Sequence, residues 1–254
     1  MASSMRLNHA VRLKSRSYLE SDVLNQLLAL FRSGGPGPGL RDDLDRMVRM
    51  SAEVVELAGD IYFQRGPRPG EPKDISSEDN KINKLQRKIR KDALLHAIAS
   101  EDGFDLPFCL SLMNVVKDVE RIGDYAKDVA KLAERVTPSD ATSYAHLALE
   151  AEQLVTRLAD TLEESDQVET VSIIESGKDL RRRINAELLS RLTSDAPGAA
   201  GHVLCLHHYQ RIVGHALNVL STIVTPLHRM DYTGKKSLLP EVKEKLTQAA
   251  AEDV

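Results

Sequence analysis

Proline and glycine cut this sequence at five places, and the long stretches between the cuts all carry a helical pattern. The breaks are SGGPGPG (Ser33 to Gly39), RGPRPGEPKD (Arg65 to Asp74), EDGFDLP (Glu101 to Pro107), TPSD (Thr137 to Asp140) and SDAPGAAG (Ser194 to Gly201). Proline removes a backbone donor and clashes with the preceding turn, so helices end at such clusters. Between them apolar residues recur at spacings of three and four, and strand-like alternation is absent. Six helices are expected at about 42–64, 76–100, 106–136, 139–165, 167–193 and 201–230, with a further helix at about Ser21 to Arg32 and a polar tail at 233–254. With 4% aromatic residues and no Trp, aliphatic side chains must fill the interior, which suits helix packing. The fold class is therefore all-α.

The six helices read as three, twice. YQRIVGHALNV (Tyr209 to Val219) matches VERIGDYAKDV (Val119 to Val129) at an offset of 90, sharing the Arg-Ile pair, the Ala and the closing Val. Asp79 and Asn83 precede Glu175 and Asp179 by 96 residues, near the starts of the second and fifth helices. An internal duplication explains this, giving two pseudo-repeated three-helix bundles at 41–137 and 138–232 after an N-terminal extension and Gly/Pro linker at 1–40.

On the third helix Leu112, Val115, Val119, Ile122, Ala126, Val129 and Ala133 form a narrow apolar stripe for bundle packing. At 100° per residue Glu120, Asp124 and Asp128 point away from it. On the fifth helix Ile173, Gly177, Leu180 and Ile184 form the inner side, and Glu175 and Asp179 again face outward. Carboxylates four apart repel by a few tenths of a kcal/mol, about 0.2–0.5, unless a cation lies between them. A metal ion would supply that cation, with Asn83 and Asn218 adding amide oxygens. Lys117, Arg121, Lys127 and Lys131 are the plainer alternative, as partners in ion pairs.

The string DVERIGDYAKDVAKLAE resembles the signature helix of the PhoU family of phosphate-transport regulators, and the similarity spans about residues 41–232. In that family each three-helix bundle carries an acid-x-x-x-Asp/Asn motif on two helices. The resemblance implies metal (iron, zinc, manganese or magnesium) at Asp79, Asn83, Glu120, Asp124 and Asp128 in the first repeat, and at Glu175, Asp179 and Asn218 in the second. It also implies a homodimer, and regulation of phosphate-starvation signalling through a phosphate transporter complex and/or a sensor histidine kinase. The second site departs from the pattern, because Gln210 stands where the first repeat has Glu120 and Gly214 where it has Asp124. His207, His208 and His215 lie near enough in sequence to serve as alternative nitrogen ligands.

Other classes find little footing. No His has a Glu three residues before it, as a carboxylate-bridged di-iron bundle needs, and no Walker A, G-x-S-x-G or Cys-x-x-Cys string occurs. The reading is therefore non-enzymatic. The net charge of -4 is no nucleic-acid footprint. No apolar run reaches 18 residues and the start lacks a signal-peptide core, so a cytoplasmic protein is expected, touching membranes only through partners. Cys109 and Cys205 are expected as buried free thiols. KLQRKIRK (Lys84 to Lys91) and RRR (Arg181 to Arg183) occupy equivalent places on the two motif helices as solvated faces or docking surfaces. Alternatives to the regulator are an accessory module of a different phosphate or ion transporter, and a metal-free helical adaptor.

Overall fold

A computed structural model of the chain describes residues 38–66, 74–99, 106–136, 141–164, 166–225 and 227–252. The expected helix at Ser21 to Arg32 lies outside these residues. The helices are α1 (Pro38–Tyr62), α2 (Ile75–Ala99), α3 (Leu106–Ala133), α4 (Ala145–Glu164), α5 (Gln167–Leu192), α6 (Ala199–Val224) and α7 (Pro240–Glu252), with 3-10 turns at Ala141–Tyr144, Leu227–Arg229 and Lys235–Ser237. No strand occurs among the described residues.

Helix starts follow local chemistry. Asp74 Oδ1 accepts from the Ser76 amide at 3.1 Å ahead of α2. Asp166 caps α5, its Oδ1 accepting from the amides of Val168 at 2.8 Å and Glu169 at 3.0 Å. These amides are orphan donors of the first turn, so Asp166→Ala is expected to cost about 1 kcal/mol in a urea titration. A cost below a few tenths would mean that solvent replaces the cap.

Helices α1, α2 and α3 form one bundle, and α4, α5 and α6 the other. They are joined where α3 lies on α6 and α1 on α4. Along the α3–α6 seam Asp118 meets His215, Tyr125 meets Arg211, and Val136 lies 2.6 Å from the Cβ position of Gly201. One number rises as the other falls, so the two helices run antiparallel. Gly201 is required here, since any side chain would meet the Val136 methyls. The whole expected α3 stripe from Leu112 to Val129 is buried, and Ala133 packs at its edge. Helix α6 is apolar on almost every side because α3, α4 and α5 all cover it.

Two polar groups are folded into this core. The Tyr62 and Tyr144 hydroxyls are 3.1 Å apart, and Tyr144 Oη lies 2.7 Å from His202 Nδ1. Arg65 forks onto Glu152 at 2.6 and 2.8 Å, and Tyr209 donates to the same carboxylate at 3.2 Å. Cys109 and Cys205 are both buried, and neither is in a disulfide.

The C-terminal stretch corrects the expectation of a polar tail. Leu238, Leu239 and Val242 are buried, the Leu239 amide donates to Val224 O at 2.9 Å, and Lys245 Nζ donates to Gln167 Oε1 at 2.7 Å. The signal is present in the sequence as Pro240 at the first helical position, followed by Val242 and Leu246 on one side. Helix α6 also ends at Val224 and not near 230, with Thr225 extended at its C-cap, one residue before Pro226.

Candidate functional site

The acid motif of the first repeat lies in the groove between α2 and α3. Ile82, fully buried on α2, places its Cδ1 3.2 Å from the Cβ position of Gly123 on α3, so the two helices approach closely at the motif. A glycine one residue before Asp124 allows that approach. Asp79, three residues before Ile82, is thereby carried inward and is only 5% exposed. Glu120 and Asp124 are half-buried at the rim. The three carboxylates thus turn towards the α2–α3 groove, and Glu120 and Asp124 are not fully outward as the helical wheel suggests.

The charges in this groove are paired by the chain itself. Lys127 Nζ bonds Asp79 Oδ2 and lies 3.6 Å from Asp124 Oδ1. Arg121 reaches Asp124 at 3.0 Å and Glu120 at 3.7 Å, and Asn83 Nδ2 donates to Asp79 Oδ2 at 3.3 Å. Burial pulls the Lys127 pKa down, but its hydrogen bond to Asp79 and the charges of Asp79 and Asp124 prevail and hold it above the usual ammonium value. Burial, with the Asp124 charge, pushes Glu120 above the ordinary carboxylate range. Asp128 stands apart, paired with Lys131 at 2.9 Å.

The second repeat does not assemble an equivalent cluster. Glu175 pairs with Lys178 at 2.9 Å, and Asp179 pairs with Arg182 and with Arg183, the latter at 2.9 Å. Gln210 donates to Asn185 at 2.8 Å, and the Arg181 guanidinium lies 3.9 Å from the Cβ position of Gly214. Asn218 is elsewhere, at the seam, where its amide is 3.4 Å from Asp118 Oδ1. The histidines are not gathered at Glu175 and Asp179 either. His207 is exposed, His215 Nδ1 is 2.6 Å from Asp118, and Tyr125 stacks on His215 at 5.6 Å and tilts against His208 at 5.7 Å. This seam cluster escaped the reading of acid spacing because Asp118 looks like one more surface acid until α6 is laid on α3.

A resident metal ion fits this arrangement poorly. Asp79 Oδ1 is buried without a hydrogen-bond partner, as a ligand oxygen would be. However, an ammonium already bridges Asp79 and Asp124, and among the described residues no three His, Cys, Asp or Glu side chains are disposed to hold a metal.

The basic runs are exposed at Lys84, Arg87 and Lys91 on α2, and at Arg181 and Arg182 on α5, while Lys88 is held by Asp43 and Asp92. No described helix is long and apolar enough to cross a membrane.

Two all-helical bundles, the first with its acid motif in the α2–α3 groove, define a helical-bundle protein, and residues 44–133, within the first bundle, match the PhoU domain. The chain is 24% identical over 212 residues to a phosphate-specific transport system accessory protein PhoU homolog of Xylella fastidiosa, covering 79% of this chain and 86% of that one. A homolog of the same name in Pseudomonas aeruginosa is 25% identical over 167 residues, covering 61% of this chain and 69% of its own. The fold resembles the crystal structure of PhoU from Pseudomonas aeruginosa, with a TM-score of 0.50 at 20% identity over 81% of this chain and 95% of that one. The match to the PhoU domain thus lies in the first bundle, and the fold of the chain is like that of PhoU.

Proposed function

We propose that this protein is a cytoplasmic accessory regulator of phosphate uptake, acting by contact with a phosphate transporter complex and with the signalling kinase that reports phosphate starvation. The observation that carries this reading is the likeness to the Xylella accessory protein over 79% of this chain and 86% of that one, which is not confined to one motif. The geometry is in keeping with a docking protein. Its polar residues are spent on cross-helix ion pairs such as Lys127–Asp79 and Arg183–Glu150, and the α2 face presents Lys84, Arg87 and Lys91 to solvent. In this reading the acids of the α2–α3 groove fasten two helices of the docking body together, and the exposed cations serve an acidic partner surface.

The test is genetic. Deleting the gene is expected to raise a phosphate-starvation reporter on the order of tenfold in phosphate-rich medium, a loss of about 1.4 kcal/mol of repression if read as an equilibrium. Complementation by the intact chain restores repression. Unchanged reporter output with altered phosphate uptake would replace the signalling role by that of a transporter accessory module. No change in either would remove the proposal.

A further inference from the structure

We propose that Lys127 is the resident cation of the first acid motif, holding with its ammonium the place between Asp79 and Asp124 that a metal ion would take, and thereby keeping the groove free of metal. The position is the first argument. Lys127 Nζ is bonded to Asp79 Oδ2 and lies 3.6 Å from Asp124 Oδ1, with its side chain only 21% exposed. A lysine stem folded into a helix groove keeps its charge there only where carboxylates replace the lost water.

Stoichiometry is the second argument. Asp79, Glu120 and Asp124 bring three negative charges, and Lys127 with Arg121 already returns two. A divalent ion bound to the same oxygens at about 2.0–2.6 Å would have to displace the ammonium, since both cannot bond the facing oxygens of Asp79 and Asp124. The competitor is also tethered on the motif helix itself, one turn from Asp124, so a metal competes against a group that is always present at high local concentration.

The duplication supplies a third, internal argument. At the offset of 90 that relates the two motif helices, Lys127 corresponds to Leu217 and Asp124 to Gly214. Leu217 there packs 2.8 Å from the Cβ position of Gly177, as an ordinary core residue. Acid and lysine are present together in one repeat and absent together in the other, as expected of two charges that serve each other. In the second repeat the Arg181 guanidinium lies beside Gly214, again a cation of the chain at the motif position.

The experiment compares the whole chain with Lys127→Thr and Lys127→Arg, all purified without chelator or metal-affinity resin, then offered manganese(II), zinc(II) or iron(II) in turn. Elemental analysis is expected to find the parent and Lys127→Arg essentially empty, and Lys127→Thr loaded with about one ion per chain. Thermal unfolding should follow the same split, with Lys127→Thr stabilised by about 5 to 10 °C at metal a hundredfold above its Kd and the parent unmoved. If Lys127→Thr does not fold alone, refolding in the presence of one of these ions, abolished by adding Asp124→Asn, supports the proposal equally. A parent that carries near-stoichiometric metal lost on Asp79→Asn overturns it. So does a folded Lys127→Thr that stays empty at saturating metal, or one that neither folds nor is rescued by any of the three ions. The readout is on the purified chain and is independent of the transport assignment.

Discussion

Arg65→Ala is expected to destabilise the protein by about 3 to 5 kcal/mol, lowering the thermal midpoint on the order of 10 °C. The reason lies in what is left behind. Glu152 is 4% exposed on α4, and its carboxylate is held by the Arg65 fork at 2.6 and 2.8 Å and by the Tyr209 hydroxyl at 3.2 Å. Removing the guanidinium strands a charge inside the joint between α1, α4 and α6. Gly59 shows how closely this joint is built, since a Cβ there would overlap both Glu152 Oε1 and the Arg65 guanidinium. Replacing both partners, as Arg65→Met with Glu152→Leu, should cost less than half of the single change, because the stranded charge is then gone.

The same variant carries a pH signature. Burial already raises Glu152 above the ordinary carboxylate range, against the lowering influence of Arg65 and Tyr209. Without Arg65 the native pKa rises further. A carboxyl whose native pKa lies above its unfolded value of about 4.3 contributes stability that is complete below that value and is lost as pH rises through the native pKa. The deficit of Arg65→Ala should therefore shrink on acidification from about pH 7.5 to about pH 5, read by urea midpoints at each pH. A deficit that is constant over this range, or smaller than about 1 kcal/mol throughout, would show that Glu152 is solvated in the native protein.

How much of this was open to a reader of the sequence depends on the range of the interaction. The helices were legible because each is fixed by its own periodicity and by its Pro and Gly boundaries. The burial of Leu112 through Val129, and of Ile173, Gly177, Leu180 and Ile184, follows from the same count. The grouping of the helices into two bundles of three was legible from the strings around Arg121 and Arg211. What no single helix discloses is how two helices meet. The wheel turns Glu120 and Asp124 outward from the α3 stripe, yet Ile82 on Gly123 draws α2 and α3 together until these two acids border a groove in which Asp79 is buried. Asn218 has the spacing of a motif residue and the location of a seam residue, because the antiparallel lie of α3 on α6 sets its neighbour as Asp118. Glu152 and Arg65 are 87 residues apart and give no local sign of each other. Helix α7 is hidden in the sequence for a different reason. Its stripe is short and its remaining residues are charged or small, so composition masks the few apolar side chains that dock it.

Ile82→Ala is expected to be the other severe variant, at about 2 to 5 kcal/mol, with Ile82→Val at about 0.5 to 1.5 kcal/mol. Ile82 is 0% exposed, and its Cδ1 lies against the one position of α3 that has no side chain, 3.2 Å from where a Gly123 Cβ would be. Truncation removes the contact that sets the α2–α3 spacing, so the loss should spread beyond the cavity itself. Water would reach Asp79 and Lys127, and amides of α2 near Asp79 should exchange faster than those of α5. The partner glycine gives the decisive control. Gly123→Ala alone requires Ile82 to give way by a few tenths of an ångström, a modest strain offset by the better helix propensity of alanine, about 1 kcal/mol. In Ile82→Ala the same added methyl enters vacated space. The double variant should therefore be more stable than the two single effects sum to, by on the order of 0.5 to 1 kcal/mol in a double-mutant cycle from urea midpoints. Strict additivity would show that α2 and α3 do not meet at these residues. The close approach that buries Asp79 beside Lys127 would then need another cause.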